Sequence, residues 1–363
     1  MTTTAQPVRR AAGRRVRRLG AALLVATALA APLAGCATGP APVPAAATPT
    51  TTPPPPPPPP PPVLWPLTGV DSAGAAIGHP ALAVKIENSV TARPQTGLNA
   101  ADLVWEQVVE GGIPRYVAVY HSTVPGEIGP VRSVRPMDPA IAAPLGGLFA
   151  FSGGQRAYVD AVAAAGLQVL SHDAGAAGFS RLSSRRAPHN MYADPHALLA
   201  QADAAHAAPP PPQFAMAAAP EQAGAVVAGA PAGFVDLTLS GISHPRWTWS
   251  PPDGRWVRAE AGIPAVEADG TPIRATNVVV LRVDVVNTGA LDPAGNPVPE
   301  TVVVGGGDAL VATGGKALAA TWAKPAVGAP VTLTAADGSP VPLAPGTTWI
   351  ELVPNRNGSV VVG

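Results

Sequence analysis

The sequence predicts a mixed α+β or α/β N-terminal domain followed by a small all-β C-terminal domain, a barrel or a sandwich. Three observations carry this. Residues 148–151, 157–165 and 167–170 read in turn as strand, helix and strand, the helix stopping at Gly166, a succession typical of an α/β layer. Asp194 followed by Pro195 is an N-cap with proline at the first helical position, opening a helix through 197–205. Beyond residue 233 helical periodicity ends, and short β-branched segments recur between Gly, Pro and Asp turns.

The chain divides as follows. Residues 1–35 read as a lipoprotein signal peptide: Arg9, Arg10, Arg14, Arg15, Arg17 and Arg18 form a basic end, and 19–32 is apolar but too short for a bilayer core of about 30 Å. Leu33-Ala34-Gly35-Cys36 is a lipobox, in which small residues precede the thiol that takes the lipid. Residues 36–62 are the lipidated cysteine and a proline-rich stalk ending in ten prolines, Pro53 to Pro62, a polyproline spacer of about 30 Å. The N-terminal domain spans 63–206, with strands at 80–87, 103–110 and 116–121. The last two are joined by Gly111-Gly112-Ile113-Pro114. Residues 207–233, rich in Ala and Pro, read as a linker or insertion where proteolysis would begin. The all-β domain fills 234–363: 234–239 alternates, Pro251-Pro252-Asp253-Gly254 is a turn, and 278–286, 301–304, 309–313 and 348–353 are further strands.

Composition excludes several functions. Lys+Arg and Asp+Glu are equal at 23 each, but six of the basic residues lie in 1–35, so the chain from Cys36 carries 17 against 23, a formal −6. A nucleic-acid binder needs the opposite sign on at least one domain. The single cysteine is Cys36, so lipidation leaves no thiol for a disulfide, a Cys-ligated metal or a nucleophile. The histidines lack metal-ligand spacing, and Gly314-Gly315-Lys316 lacks the upstream glycine and the Ser/Thr of a P-loop. No cofactor and no metal are expected.

Candidate site residues cluster in short, Gly/Pro-bracketed segments of the N-terminal domain: Glu87, Asn88, Arg93, Arg115, Arg132, Arg135, Arg186, His189 and Asn190. Arginine suits planar, bidentate recognition of carboxylate or phosphate, and loops on a rigid scaffold are where such groups usually sit. Glu106 and Glu110 are a candidate acid/base pair. Four residues rise about 6 Å on a helix but about 13 Å on a strand, too far to flank one bond, and the β-branched content of 103–110 favours the strand.

Several motifs together resemble one family. They are Glu87-Asn88-Ser89, Arg93-Pro94-Gln95-Thr96-Gly97, Trp105-Glu106, Gly129-Pro130-Val131-Arg132-Ser133, Ser152-Gly153-Gly154 and Ala187-Pro188-His189-Asn190. Thr276-Asn277-Val278, Thr321-Trp322 and Pro345-Gly346-Thr347-Thr348-Trp349 extend the likeness. They resemble the YerB-like lipoproteins, a family of unknown function with separate N- and C-terminal parts, over nearly everything from Trp65 to Pro354. The resemblance implies lipoprotein export and a two-domain build, and no activity. The chain departs from the pattern at Pro114, where a threonine is expected, and at Met137, where an aromatic is expected.

Three readings of function follow. The first is a membrane-anchored cell-envelope binding or accessory protein, outside the cytoplasmic membrane, holding an anionic ligand such as a peptidoglycan fragment or an anionic wall polymer. The second is an envelope hydrolase using His189 with Glu106 or Glu110. The third is a scaffold for a membrane-protein partner. All three require the anchor, so Cys36→Ser should release the protein from the membrane fraction. Protein that remains bound after a salt wash would rule the lipobox out.

Overall fold

Val84 and Ile86 in β1 (Leu82–Glu87), and Val104, Trp105 and Val108 in β2 (Leu103–Val108), favour strand, and all six residues of each strand are buried. A turn through Gly111, whose φ of 66° suits glycine, leads into β3 (Pro114–Tyr120). The computed structural model describes residue 39 and residues 61–363. The signal segment, Cys36 and all but the last two prolines of the run therefore lie outside the described residues. Pro114 is the first residue of β3, a position proline tolerates, and the register still sets Arg115 opposite both Glu87 and Gln107.

The N-terminal region continues through α1 (Asp138–Ala142), β4 (Leu148–Phe151), α2 (Arg156–Ala164), β5 (Gln168–Ser171), β6 (Phe179–Arg181), β7 (Met191–Ala193) and α3 (Pro195–Leu199). The Asp194 side chain accepts hydrogen bonds from the amides of His196 (2.9 Å) and Ala197 (3.2 Å), as the N-cap reading requires. α3 is shorter than expected, because Asp203 then accepts from the amides of Ala205 and His206 and turns the chain. β1, β4 and β5 pair in parallel, and β1 pairs antiparallel with β3.

After α4 (Gly224–Ala228) the remaining chain is strand: β8 (Ala230–Pro231), β9 (Phe234–Thr238), β10 (Pro245–Ser250), β11 (Arg255–Glu260), β12 (Ile263–Pro264) and β13 (Arg274–Ala275). These are followed by β14 (Asn277–Leu291), β15 (Pro297–Val302), β16 (Gly305–Thr313), β17 (Lys316–Lys324), β18 (Thr332–Thr334), β19 (Thr348–Pro354) and β20 (Ser359–Val362). They divide between two sheets. One sheet runs β18-β17-β16-β14-β19-β2-β3-β1-β4-β5, with β15 beside β14 and β8 beside β17. Its join is β19 against β2, parallel, from Thr348 opposite Leu103 to Glu351 opposite Glu106. The other is antiparallel, β12-β11-β10-β9-β20, with β13 beside β11.

Alternation along the strands gives the large sheet two apolar faces. Val104, Tyr116, Val280 and Trp349 face the small sheet, where Trp247 meets Trp349 edge-on at 5.1 Å. Ala83, Trp105, Val117 and Ile350 face α1, α2 and the segment before α4. Met137 belongs to this second core and is buried.

The 207–233 stretch is not a loose linker. Phe214 is buried and stacks on Trp105 at 6.5 Å, and the Ala217 and Gly224 amides donate to the carbonyls of Leu343 and Pro342. Its few apolar anchors are separated by prolines, so no period betrays them. Phe214→Ala should destabilise the body by about 3–5 kcal/mol in denaturant unfolding. A loss below about 1 kcal/mol would mean that the segment is an appendage.

Candidate functional site

The strand alternation that builds the two cores also separates the charged residues. Lys85, Glu87, Gln107 and Arg115 leave one face of the large sheet, whereas Glu106 and Tyr116 leave the other.

On the first face Asp138 gathers three donors. Lys85 Nζ and Gln107 Nε2 both reach Oδ1 at 2.6 Å, and the Arg135 amide reaches Oδ2 at 2.7 Å. Burial pulls Lys85 down to about 8, with Asp138 opposing the shift. Arg135 is paired with Glu110 at 2.6 Å, and its Nη1 donates to the Val134 carbonyl. Arg115 is buried and donates to the Ser133 carbonyl at 2.9 Å. Burial, with Arg135 and Arg132 nearby, lowers it to about 9. At the rim Glu87 accepts from Ser89 Oγ at 2.8 Å, meets His189 Nδ1 at 2.9 Å and lies 3.3 Å from Arg132 Nε. Gly153, with φ of 84°, lets the Ser152-Gly153-Gly154 turn close on this loop, since a Cβ there would fall 2.9 Å from Ser133 Oγ.

On the second face Arg258 is 1% exposed and enclosed by carboxylates: Glu106 at 2.8 Å, Glu260 at 2.9 Å and Glu351 at 3.0 Å. Trp349, Trp247 and Tyr116 surround the guanidinium at 5.2, 5.6 and 5.8 Å from their ring centres. Trp247 Nε1 also donates to Glu351 Oε1 at 2.7 Å. Burial drives Glu106 well above the ordinary carboxylate range, against the pull of Arg258 and with the help of Glu351. Glu351 Oε2 is buried without a hydrogen-bond partner, Glu106 Oε2 meets only the Arg258 guanidinium, and the two residues are cross-strand neighbours. A proton held between the two carboxyls satisfies both atoms and reduces the repulsion. Asn88 Nδ2 donates to Glu106 at 2.8 Å, and Arg93 Nε donates to Asn88 Oδ1 at 2.8 Å, which brings Arg93 to within 3.8 Å of Glu260.

The expected candidates therefore do not form one cleft. Glu87, Arg132 and His189 meet. Arg135 and Glu110 satisfy each other, because both are buried and neither can stay charged alone. Arg115 is held by backbone, Asn88, Arg93 and Glu106 belong to the opposite face, and Asn190 accepts from Arg181 at 2.9 Å. Arg186 is exposed. The hydrolase arrangement fails because the carboxylate beside His189 is Glu87, not Glu106 or Glu110. Thr91 Oγ1 lies 3.4 and 3.2 Å from the two ring nitrogens. Residue-by-residue reading missed Lys85, Asp138, Arg258, Glu260 and Glu351. The available signal was a charge at a core-facing position of an otherwise apolar strand, as in Trp349-Ile350-Glu351-Leu352. Among the described residues, no group of three or more His, Cys, Asp or Glu is placed to hold a metal, and no helix is long and apolar enough to cross a membrane.

Residues 67–208 match the N-terminal domain, and 235–350 the C-terminal domain, of the protein family of unknown function DUF3048. The Bacillus subtilis (strain 168) protein named "Putative lipoprotein YerB" is 33% identical over 130 residues, 35% of this chain and 39% of that protein's length. The crystal structure of the YerB protein from Bacillus subtilis superposes with a TM-score of 0.69 at 21% identity, covering 82% of this chain and 99% of that one, a likeness of fold.

A folded-state carboxyl held above its unfolded value contributes stability below about 4.5 for Glu106 and about 3.8 for Asp102. That contribution is lost as pH rises through the folded value. Burial lifts Asp102 to about 6, lowers His121 to about 4 and lowers Lys85 and Lys324 to about 8, so the part of Glu106 is read from the difference between wild type and Glu106→Gln. Above pH 4.5 the wild type should lose more stability, or gain less, with rising pH than Glu106→Gln. Parallel curves would place the proton elsewhere. Arg258→Met, which leaves the carboxylates without their central counter-charge, should destabilise by about 3–5 kcal/mol.

Proposed function

The chain belongs to the DUF3048 family, and from that premise we propose that it is a lipid-anchored, extracytoplasmic binding protein that recognises an anionic oxygen ligand at Arg132 and His189. The anchor reading draws on the lipobox at Cys36, the proline run behind it and the lipoprotein name of the Bacillus subtilis relative.

One observation carries the ligand reading. Glu87, 4% exposed at its side chain, hydrogen-bonds His189 and pairs with Arg132 as an ion pair at 3.3 Å, the two being 25% and 24% exposed. A buried carboxylate that fixes two donor side chains while leaving their outer edges in solvent orients them for a third group. Arg132 meets Glu87 through Nε, and its terminal nitrogens make no hydrogen bond among the described residues. Those nitrogens suit the paired oxygens of a phosphate or carboxylate, the groups that wall polymers and peptidoglycan carry. The hydrolase reading has no comparable support, because Glu106 and Glu110 pair with Arg258 and Arg135 and not with His189.

Binding of inorganic phosphate and of glycerol-phosphate oligomers to the full chain in phospholipid vesicles tests the site. Arg132→Ala should weaken binding by about 1.5–3 kcal/mol while the thermal transition moves little. Affinity unchanged by Arg132→Ala, or no binding of either probe, would overturn the reading.

A further inference from the structure

The face that carries Arg258 also holds a pocket unrelated to Arg132 and His189. Its volume is about 280 Å³, and it lies where the segment 88–95 approaches β11 and β12. Val90, Pro94, Ile263, Pro264, Val266 and Ile273 form apolar walls, and its polar end holds Arg93, Arg258, Glu260 and Tyr116.

Most of the hydrogen-bonding capacity at that end is already engaged. Glu260 Oε1 accepts from the His244 amide at 2.7 Å and from Ser243 Oγ, and Oε2 accepts from Arg258 Nη2. Asn88 Oδ1 accepts from Arg93 Nε and Gln95 Nε2, and Asn88 Nδ2 is turned to Glu106. Three donors remain without a hydrogen bond among the described residues, Arg93 Nη1, Arg258 Nε and the hydroxyl of Tyr116. Tyr116 is 1% exposed and lines the pocket. A cationic head would face two guanidinium groups, with Glu260 Oε2, already bound by Arg258, as the acceptor left to it.

We infer that this pocket binds a small carboxylate with an apolar body, the carboxylate meeting Arg93 and Tyr116 and the body lying between Pro94 and the Ile263–Pro264 strand. With one proton shared between Glu106 and Glu351 the polar end is neutral before the ligand arrives, so hydrogen bonds from Arg93 and Tyr116, rather than excess positive charge, hold the carboxylate. The volume is close to the lower end of known small-molecule sites, which run from about 300 Å³. The pocket also joins residues 88–116 to residues 258–273, so an occupant would bridge the parts of the chain matched by the N- and C-terminal family domains.

The probes are hexanoate, hexanol and hexylamine, measured by saturation-transfer NMR on the full chain in phospholipid vesicles, with empty vesicles as blank. Hexanoate should bind saturably and at least tenfold more tightly than either control. Tyr116→Phe and Arg93→Gln should each weaken it about tenfold. Ile263→Trp fills the mouth from a position 72% exposed, so it should abolish binding while the melting temperature stays put, separating a blocked pocket from a damaged fold. Hexylamine binding as well as hexanoate, hexanoate binding that survives Ile263→Trp, or no saturable binding would each overturn the assignment. Arg132→Ala should leave hexanoate binding unchanged, which keeps this result separate from the phosphate experiment.

Discussion

Arg258 is the group on which the arrangement of the two regions depends. It reaches Glu106 on β2, Glu351 on β19 and Glu260 on its own strand β11, so a single guanidinium joins both sheets and both family domains. Charges this deep are costly to desolvate, and a buried ion cluster is weak evidence of net stability by itself. Its effect lies in alternatives: β2 and β19 cannot slip by one residue without turning Glu106 and Glu351 into the opposite core. The apolar strands alone would tolerate several pairings. The cluster selects one.

That selection sets the character of each face. Where the cluster sits, aromatic rings pack on the guanidinium and leave a small pocket at the edge, lined by Arg93 and Tyr116. On the other face the chain forms closed pairs, Lys85 with Asp138 and Arg135 with Glu110, and opens only at the rim where Glu87 holds Arg132 and His189. A run of Pro/Gly-bracketed charges in the sequence thus becomes two different environments. Parity along β1 and β2 decides which residue joins which.

Local order was legible in the sequence wherever local physics controls it. The Asp194 cap, the α2 helix and its stop at Gly166, and the strands β1 to β4 follow from propensity, capping and alternation. The mixed N-terminal and all-β C-terminal character followed from the same signals. The pairing of β19 with β2 was not legible, since it joins residues more than 240 positions apart and nothing in either strand names its partner. Residues 207–233 fall between the two family domains, as read, but their packing was not legible because Phe214 anchors a segment with no period. Site composition was partly legible: Glu87, Arg132 and His189 were named and do meet. The partners that take Arg135, Arg115 and Glu106 out of that group sit in apolar strands or distant turns, where a charge shows its purpose only once the sheet has formed.

Hydrogen exchange measured by mass spectrometry on wild type and Arg258→Met addresses the joining role most directly. If Arg258 couples the two regions, amides of β2 and β3 in the N-terminal region and of β10 and β11 in the small sheet should share one global opening. The substitution should then lower protection in both sets by the same free energy. Protection lost from β10 and β11 alone, with β2 and β3 unchanged, would show that the small sheet is merely docked and that Arg258 joins nothing beyond it.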